Sequence, residues 1–156
     1  RKQRPGLAPV GAVVVRHLKE AARQWPADSA IIASPVDGII GQFGEVTAGK
    51  AIQAKGHTYS IAELLADQAE AIRYEGGSFL TIYLSPRHYH RIHTPIAGTI
   101  SSGTYIPGTL LPVNGPAVMH VPRLFARNER LICYVDSVAG RMPVVAWGAY
   151  NVGRIS

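Results

Sequence analysis

Five side chains that can exchange protons or bind anions and metals lie close together in one short stretch of the sequence. The stretch is LSPRHYHRIHTP, residues 84–95, and it carries the cluster Arg87, His88, His90, Arg91 and His93. Imidazole groups titrate near neutral pH and also coordinate metals. The residues alone therefore leave three interpretations open: a metal site, a catalytic site, or a polar surface loop.

The metal interpretation has one geometric argument for it and one electrostatic argument against it. On an extended strand, His88 and His90 would point to the same face, as two imidazole ligands require. The third ligand would be one of His57, His93 and His120. The two flanking arginines disfavour a divalent cation nearby. We therefore predict no metal, and a histidine-ligated metalloprotein is the weakest alternative.

Two other kinds of site have little support in the sequence. The chain contains no G-x-S-x-G elbow of the serine hydrolases. Its single cysteine, Cys133, lies in the apolar run LICYV, which indicates a buried thiol rather than a nucleophile. Arginine and tyrosine alternate in RHYHR, which suits nucleic acid, yet no nucleic-acid motif is present. We predict no nucleic-acid partner.

Positive charge is concentrated at the start of the chain. The net charge is +6, and residues 1–24 hold six of the 16 basic residues but only the acidic residue Glu20. The remainder is close to neutral. We predict a basic N-terminal arm with a short helix over 1–24 and a body over 25–156. Such an arm suits an anionic membrane surface, and a solvated tail is the alternative.

The elements that must position the histidines form a mostly β pattern. Strands are predicted at 30–38, 38–46, 51–56, 78–85 and 97–106, followed by a hairpin of 130–136 with 142–153. Helices are predicted near 11–24 and 60–74, the second from the capping box Ser60 to Glu63. The fold class is α+β and mostly β: a compact antiparallel or mixed β domain with two short helices.

Three long motifs together resemble one protein family. They are SPVDGIIGQFGEV (34–46) with IQAKGHTYSIAELL (52–65), FLTIYLSPRHYHRIHTPIAGTI (79–100), and VPRLFARNERLICYVDSVAG (121–140). In this order and spacing they resemble the phosphatidylserine decarboxylases, most of all the bacterial enzymes. The resemblance runs from about residue 16 to residue 156.

The resemblance implies a pyruvoyl cofactor and roles for three residues. In this family a proenzyme cleaves itself before a serine, and that serine becomes the pyruvoyl group of a small α chain. By the same resemblance, His93 takes the serine proton and Asp37 orients the imidazole. His90 then donates a proton after decarboxylation of phosphatidylserine to phosphatidylethanolamine. A pyruvoyl group supplies the electron sink that such a reaction needs.

The sequence departs from the family pattern at two places. His88 replaces the aspartate of the pattern S-P-R/K-D-Y-H-R, and no Leu-Gly-Ser-Thr motif occurs in the 156 residues. We therefore expect these residues to be the β-chain portion of the proenzyme, with the pyruvoyl-forming segment outside them. A non-catalytic phospholipid-binding remnant of the family is the alternative function.

The remaining expectations concern binding and location. Candidate substrate-binding residues are Lys55, His57, Arg87 and Arg91. The expected partners are phosphatidylserine, an anionic membrane surface, the small α chain and a second copy in a homodimer. The expected location is the cell membrane, peripheral and on the cytoplasmic face.

Overall fold

The computed structural model describes residues 17–19, 22–54 and 56–150. Their strands are β1 (Ile39–Glu45), β2 (Lys50–Ala54), β3 (His57–Ser60), β4 (Ser78–Tyr83), β5 (Gly98–Ile106), β6 (Arg130–Ser137) and β7 (Gly140–Trp147). Their α-helices are α1 (Ile61–Leu65), α2 (Gln68–Ala71), α3 (Gly115–His120) and α4 (Leu124–Arg127), with a 3-10 turn at Ile72–Tyr74. The predicted α+β, mostly β fold class is confirmed. The described part has four short α-helices where two helices were predicted.

The chain forms two compact units. Among the described residues, the first unit contains 17–19, 22–39 and 84–97, and the second contains 40–54, 56–83 and 98–150. All strands and helices named above lie in the second unit, apart from the first residue of β1. The predicted division at residue 24 into an arm and a body stays a prediction.

An antiparallel sheet in the order β5-β6-β7 is the largest regular structure of the second unit. The predicted hairpin is confirmed, and it is tighter than expected. Ser137 pairs with Gly140, so only two residues form the turn. Gly140 has a φ of 102°, a left-handed conformation that glycine adopts without strain. The last strand ends at Trp147, earlier than the predicted residue 153.

Two smaller sheets complete the strand pattern, with β1 beside β4 and β2 antiparallel to β3. The predicted strands at 38–46, 51–56 and 78–85 correspond to β1, β2 and β4. The short strand β3 was not predicted, because HTYS ends at the helix cap Ser60 and its sequence is typical of a turn before a helix.

The predicted helix at 60–74 begins as expected but is interrupted. The Ser60 side chain accepts a hydrogen bond from the Glu63 N–H, as predicted for an N-cap. Ala66 then adopts a left-handed conformation with φ of 52°, and the Asp67 carboxylate caps a new helix by accepting from the Glu70 N–H. A capping aspartate inside the apolar pattern therefore divides one predicted helix into α1, α2 and the 3-10 turn.

Helices α3 and α4 were not predicted, although α3 carries a clear sequence signal. Asn114 caps α3 by accepting a hydrogen bond from the Ala117 N–H at 3.1 Å, and a proline lies in the first turn. Both are typical helix starts. Within the described part of the chain, no helix is long and apolar enough to cross a membrane.

The core of the second unit lies where α1 and α4 pack on the sheets. Its buried residues include Tyr59, Leu64, Leu124, Phe125 and Ile132. A fully buried glutamine, Gln53, crosses this core: its Nε2 donates to the carbonyls of Val118 and Val121, and its Oε1 accepts from the Leu124 N–H. A buried amide must have its hydrogen bonds satisfied, so this side chain ties β2 to the ends of α3 and α4.

The first unit is built from turns and extended segments. The predicted strand at 30–38 is wrong: its described backbone is bent and turned. Asp28 begins a turn by accepting a hydrogen bond from the Ala30 N–H, and Pro35 prevents a regular ladder. Of the helix predicted over 11–24, residues 11–16, 20 and 21 lie outside the described residues, and the described residues 17–19 and 22–24 are not helical.

Candidate active site

Two backbone hydrogen bonds hold the turn that contains Asp37 against the histidine-rich segment of the first unit. The Ala33 N–H donates to the Pro95 carbonyl at 2.7 Å, and the His93 N–H donates to the Pro35 carbonyl at 2.9 Å. The two segments are far apart in sequence and both contain prolines, which lack the N–H that a longer ladder needs. This pairing brings the predicted residues Asp37 and His93 into one neighbourhood.

The ring of His93 contacts two aromatic side chains. The Trp25 ring is 5.2 Å from it, centroid to centroid, and the Tyr89 ring is stacked at 5.6 Å with an angle of 20° between planes. The Tyr89 hydroxyl is also 3.1 Å from His93 Nε2. His93 is half-buried and Tyr89 is buried. The imidazole therefore has a defined orientation.

Asp37 is paired with an arginine from the start of the chain. Its two carboxylate oxygens accept hydrogen bonds from Arg23, Oδ1 from Nε at 3.0 Å and Oδ2 from Nη2. These bonds and the guanidinium charge lower the pKa of Asp37, with smaller contributions from the charges of His88 and His93. Asp37 is therefore a carboxylate at neutral pH, which is the form that stabilises a neighbouring imidazolium.

One hydrogen bond to the backbone fixes the tautomer of His90. Its Nδ1 lies 2.9 Å from the His88 carbonyl oxygen. Since a carbonyl only accepts, Nδ1 must carry the hydrogen in the neutral ring, and Nε2 is the nitrogen that takes up and releases a proton. His90 thus has the chemistry of a proton donor.

His88 closes the turn that precedes the two predicted catalytic histidines. Its backbone N–H donates to the Ser85 carbonyl at 2.9 Å, and its Nδ1 accepts from the Ser85 N–H at 3.2 Å. A carboxylate at this position could accept the same bond, as aspartate commonly does in turns. The imidazole of His88 therefore closes this turn in the way that the aspartate of the pattern S-P-R/K-D-Y-H-R would.

Of the four predicted substrate-binding residues, two lie in the first unit and one lies in the second. Arg87 and Arg91 lie beside the histidines on the exposed side of the first unit, and Arg91 donates to His17 Nε2 at 2.6 Å. His57 belongs to the second unit, in β3, and Lys55 lies outside the described residues. Their binding roles stay predictions.

Among the described residues, no group of three or more histidine, cysteine, aspartate or glutamate side chains is placed to hold a metal ion. Cys133 lies half-buried in β6, far along the sequence from Asp37, His90 and His93.

Three residues that contact the site were not predicted: Arg23, Trp25 and Tyr89. Arg23 was counted among the charges of the N-terminal arm. Because Arg23 and Asp37 are 14 residues apart, no local sequence pattern predicts that their side chains pair. Tyr89 did carry a local signal. Tyr89 lies four residues before His93 in a polar segment. If a tyrosine ring is buried there, its hydroxyl needs a hydrogen-bond partner, and a nearby histidine can be that partner.

Comparison with known proteins agrees with the sequence resemblance. A family model described as phosphatidylserine decarboxylase matches residues 10–156. The chain is 48% identical over 145 residues to the phosphatidylserine decarboxylase proenzyme of Pseudomonas aeruginosa strain LESB58. It is 51% identical over 143 residues to that of Brevibacillus brevis, and 46% identical over 145 residues to that of Methylococcus capsulatus.

These matches cover 90 to 92% of the chain. They cover 50 to 51% of each relative, so the chain spans about half the length of these proteins. The match extends through the segments of Asp37, His90 and His93. The chain therefore belongs to the phosphatidylserine decarboxylase family.

Proposed function

We propose that the chain is the β-chain portion of a pyruvoyl-dependent decarboxylase that converts phosphatidylserine to phosphatidylethanolamine after self-cleavage of a proenzyme. The observation that carries the proposal is the pairing of the Asp37 turn with the histidine segment, made by the His93 N–H and the Pro35 carbonyl at 2.9 Å. The names of the relatives, all proenzymes of this kind, support the substrate and the processing step.

His90 of the first unit has the proton-donor chemistry that a pyruvoyl group would require. When bound, that group supplies the electron sink for decarboxylation. This chain would flank it with His90, whose Nδ1–H is held by the His88 carbonyl. The protonated Nε2 of His90 would deliver the proton that replaces the lost carboxylate. His90 is half-buried in the first unit.

Self-cleavage would use the other histidine. His93 would accept the hydroxyl proton of the cleavage-site serine as its oxygen attacks the preceding carbonyl carbon. Asp37, which keeps its charge because Arg23 lowers its pKa, would stabilise the imidazolium that results. Arg23 would therefore be part of the electrostatic setting of the reaction, with its guanidinium holding the carboxylate in place.

The test is to express the complete native gene with single alanine substitutions and to follow chain size and lipid turnover. His93→Ala should leave the precursor uncleaved, because no base remains for the serine. His90→Ala should cleave normally but convert phosphatidylserine at least about 100-fold more slowly, the usual scale for losing a general acid.

His120→Ala is the matched control, since His120 is an exposed histidine in α3 whose Nδ1 bonds the Pro116 carbonyl. It should cleave and turn over like the parent protein. Efficient cleavage of His93→Ala would contradict the base assignment, and full turnover by His90→Ala would contradict the proton-donor assignment.

We further propose that the protein acts at an anionic membrane surface as a peripheral protein of the cytoplasmic face. The basic residues of 1–24 supply attraction to anionic lipids. In the first unit, Trp25, Ile31 and Ile32 are each at least half exposed, and an open recess of about 220 Å³ is lined by Trp25, Ile31 and Ile96 among others. These apolar groups suit contact with acyl chains.

Sedimentation with vesicles tests the membrane proposal. Binding to vesicles that contain phosphatidylserine should weaken steeply as salt rises, because exposed charges are screened. Trp25→Ala should weaken the binding that remains at high salt. Binding that is equal to neutral and anionic vesicles at every salt concentration would contradict the electrostatic part.

A further inference from the structure

A polar recess opens in the second unit, between the turn that joins α1 to α2 and the sheet of β5, β6 and β7. Its volume is about 220 Å³. Sites for drug-sized ligands measure roughly 300–1,000 Å³, so this recess suits a molecule of a few heavy atoms. Its lining includes two carboxylates, a guanidinium, a phenol and two aliphatic side chains: Asp67, Glu70, Arg141, Tyr134, Leu65 and Ile106.

The phenol of Tyr134 brings a hydroxyl group without a partner to this recess. Tyr134 is 6% exposed, and the guanidinium of Arg141 lies over its ring, 4.4 Å from the ring centroid. Within the described part of the chain, the Tyr134 hydroxyl makes no hydrogen bond. The hydroxyl of a buried tyrosine usually has a partner. A molecule bound in the recess would supply one.

Two carboxylates place negative charge around this hydroxyl. Burial raises the pKa of Tyr134; the charges of Glu70 and Asp67 raise it further, and the charge of Arg141 opposes them. The Glu70 side chain is 14% exposed and accepts a hydrogen bond from the Tyr74 hydroxyl at 2.7 Å. Asp67 Oδ1 accepts from the Glu70 N–H at 2.9 Å, and no described basic side chain pairs with this carboxylate. The recess therefore favours a positively charged ligand.

The contacts of Arg141 exclude two other kinds of ligand. Its guanidinium is already paired with carboxylates, that of Glu70 at 2.9 Å and that of Asp136 at 3.4 Å, so it does not make the recess an anion site. Its positive charge disfavours a divalent cation nearby. Among the described residues, no group of three or more suitable side chains is placed to hold a metal ion. An organic cation fits the recess better than either.

An ammonium group matches the hydrogen-bonding direction of every partner. It only donates, whereas a carboxylate and a phenol oxygen both accept. We propose that the recess binds the ammonium group of a small primary amine, with Asp67, Glu70 and the Tyr134 hydroxyl as its partners. Leu65 and Ile106 line the space for its short carbon chain. The amine is a free molecule or the headgroup of an aminophospholipid, and its binding does not depend on the proposed function.

The test is an NMR titration of the ¹⁵N-labelled chain with ethylammonium chloride. The backbone amide signals of Asp67, Glu70 and Tyr134 should shift and reach saturation. Tetramethylammonium chloride is the reference salt, because its cation has the same charge but no N–H. It should bind at least about tenfold more weakly, the scale of a lost hydrogen bond to a charged group. Equal shifts from both salts, or no saturable shift from ethylammonium, would overturn the proposal without any variant.

Two substitutions test the groups that bind. Asn also caps helices, so Asp67→Asn removes the charge and keeps the start of α2. It should weaken ethylammonium binding at least about tenfold, and Tyr134→Phe should weaken it several-fold. Asp28→Asn is the matched control, since Asp28 of the first unit also accepts a backbone N–H, that of Ala30. It should bind like the parent chain. Unchanged affinity in a folded Asp67→Asn chain would overturn the proposal.

Vesicles distinguish the two sources of the amine. Phosphatidylcholine has no N–H on its headgroup, whereas phosphatidylethanolamine has a primary ammonium group. If the source is a lipid headgroup, vesicles with phosphatidylethanolamine should displace ethylammonium and pure phosphatidylcholine vesicles should not. If the source is a free amine, neither should displace it. Equal displacement by both kinds of vesicle would show that the recess does not select an ammonium group, and would overturn the proposal.

Discussion

Asp37 shows how a partner from an earlier part of the chain can fix the position and the charge of one side chain. Two hydrogen bonds from Arg23 hold both oxygens of its carboxylate. An arginine fork matches a carboxylate in this bidentate way, which fixes orientation as well as charge. The carboxylate is thereby kept charged and in place beside the histidine segment.

Replacing Arg23 should raise the pKa of Asp37. The carboxyl pKa is lowered mainly by the Arg23 hydrogen bonds, so Arg23→Ala should return it toward the ordinary value of about 3.9. Since the folded-state pKa is below the unfolded one, the interaction stabilises the folded unit above about pH 3.9. That stabilisation is lost as the pH falls through the folded-state pKa. Carbon-detected NMR titration of the aspartates measures this.

Arg73→Ala is a suitable control, because Arg73 is an exposed arginine of the second unit that pairs with Glu70. It should leave the Asp37 titration unchanged. An Asp37 pKa that is the same in Arg23→Ala and in the parent chain would show that the pair does not persist in solution.

At the scale of elements, short helices depend on their caps because they have few internal hydrogen bonds. Helix α3 has six residues, and the Asn114 side chain satisfies the Ala117 N–H at 3.1 Å. The free N–H groups at a helix start need such partners.

Asn114→Ala should lower the free energy of unfolding by about 1 kcal/mol, the typical cost of losing an N-cap. Asn114→Ser should recover most of it, since serine also caps. Urea titration followed by circular dichroism gives both values. A loss of equal size in both variants would mean that Asn114 contributes through something other than its cap.

The elements also show what the sequence could and could not predict. Strands β4, β5 and β6 are rich in β-branched and aromatic residues, and their positions were predicted. The interruption at Ala66 was not predicted, because the apolar pattern of 61–71 continues past it and Asp67 was not recognised as the cap of a second helix. The prediction of a strand at 30–38 was wrong because this segment makes isolated backbone hydrogen bonds to residues 93 and 95 instead of a regular ladder. A local sequence pattern does not predict such bonds.

The candidate site was predicted in part, and the roles of its residues stay predictions. Asp37, His90 and His93 came from the family resemblance, because their motifs are long and unusual. Arg23 and Tyr89 depend on how the chain folds back on itself. A charge in a basic arm and a tyrosine in a polar loop each look ordinary until the structure gives them partners.

At the scale of the whole molecule, one buried charge links three elements of the second unit. Arg130 is 3% exposed, and its guanidinium donates to the carbonyls of Glu63 and Leu64 in α1, of Ala126 in α4, and of Asn128. Burial lowers the pKa of Arg130. An interior guanidinium is tolerated because carbonyl oxygens replace its water.

Arg130→Met should destabilise the protein by about 3 kcal/mol, because several buried carbonyls lose their donors at once. Arg127→Met changes an exposed arginine of α4 and should cost less than about 0.5 kcal/mol. Thermal and urea unfolding compare the two. A neutral Arg130→Met would mean that water satisfies those carbonyls.

The most direct test of the proposed function is the intact mass of the product of the complete native gene, measured before and after treatment with an amine and borohydride. We predict two chains: one that contains the residues described above, and a smaller one whose N-terminus gains the mass of the reduced amine adduct, as a pyruvoyl group requires. A single chain that does not react would contradict a pyruvoyl-dependent decarboxylase and would favour a phospholipid-binding protein without this chemistry.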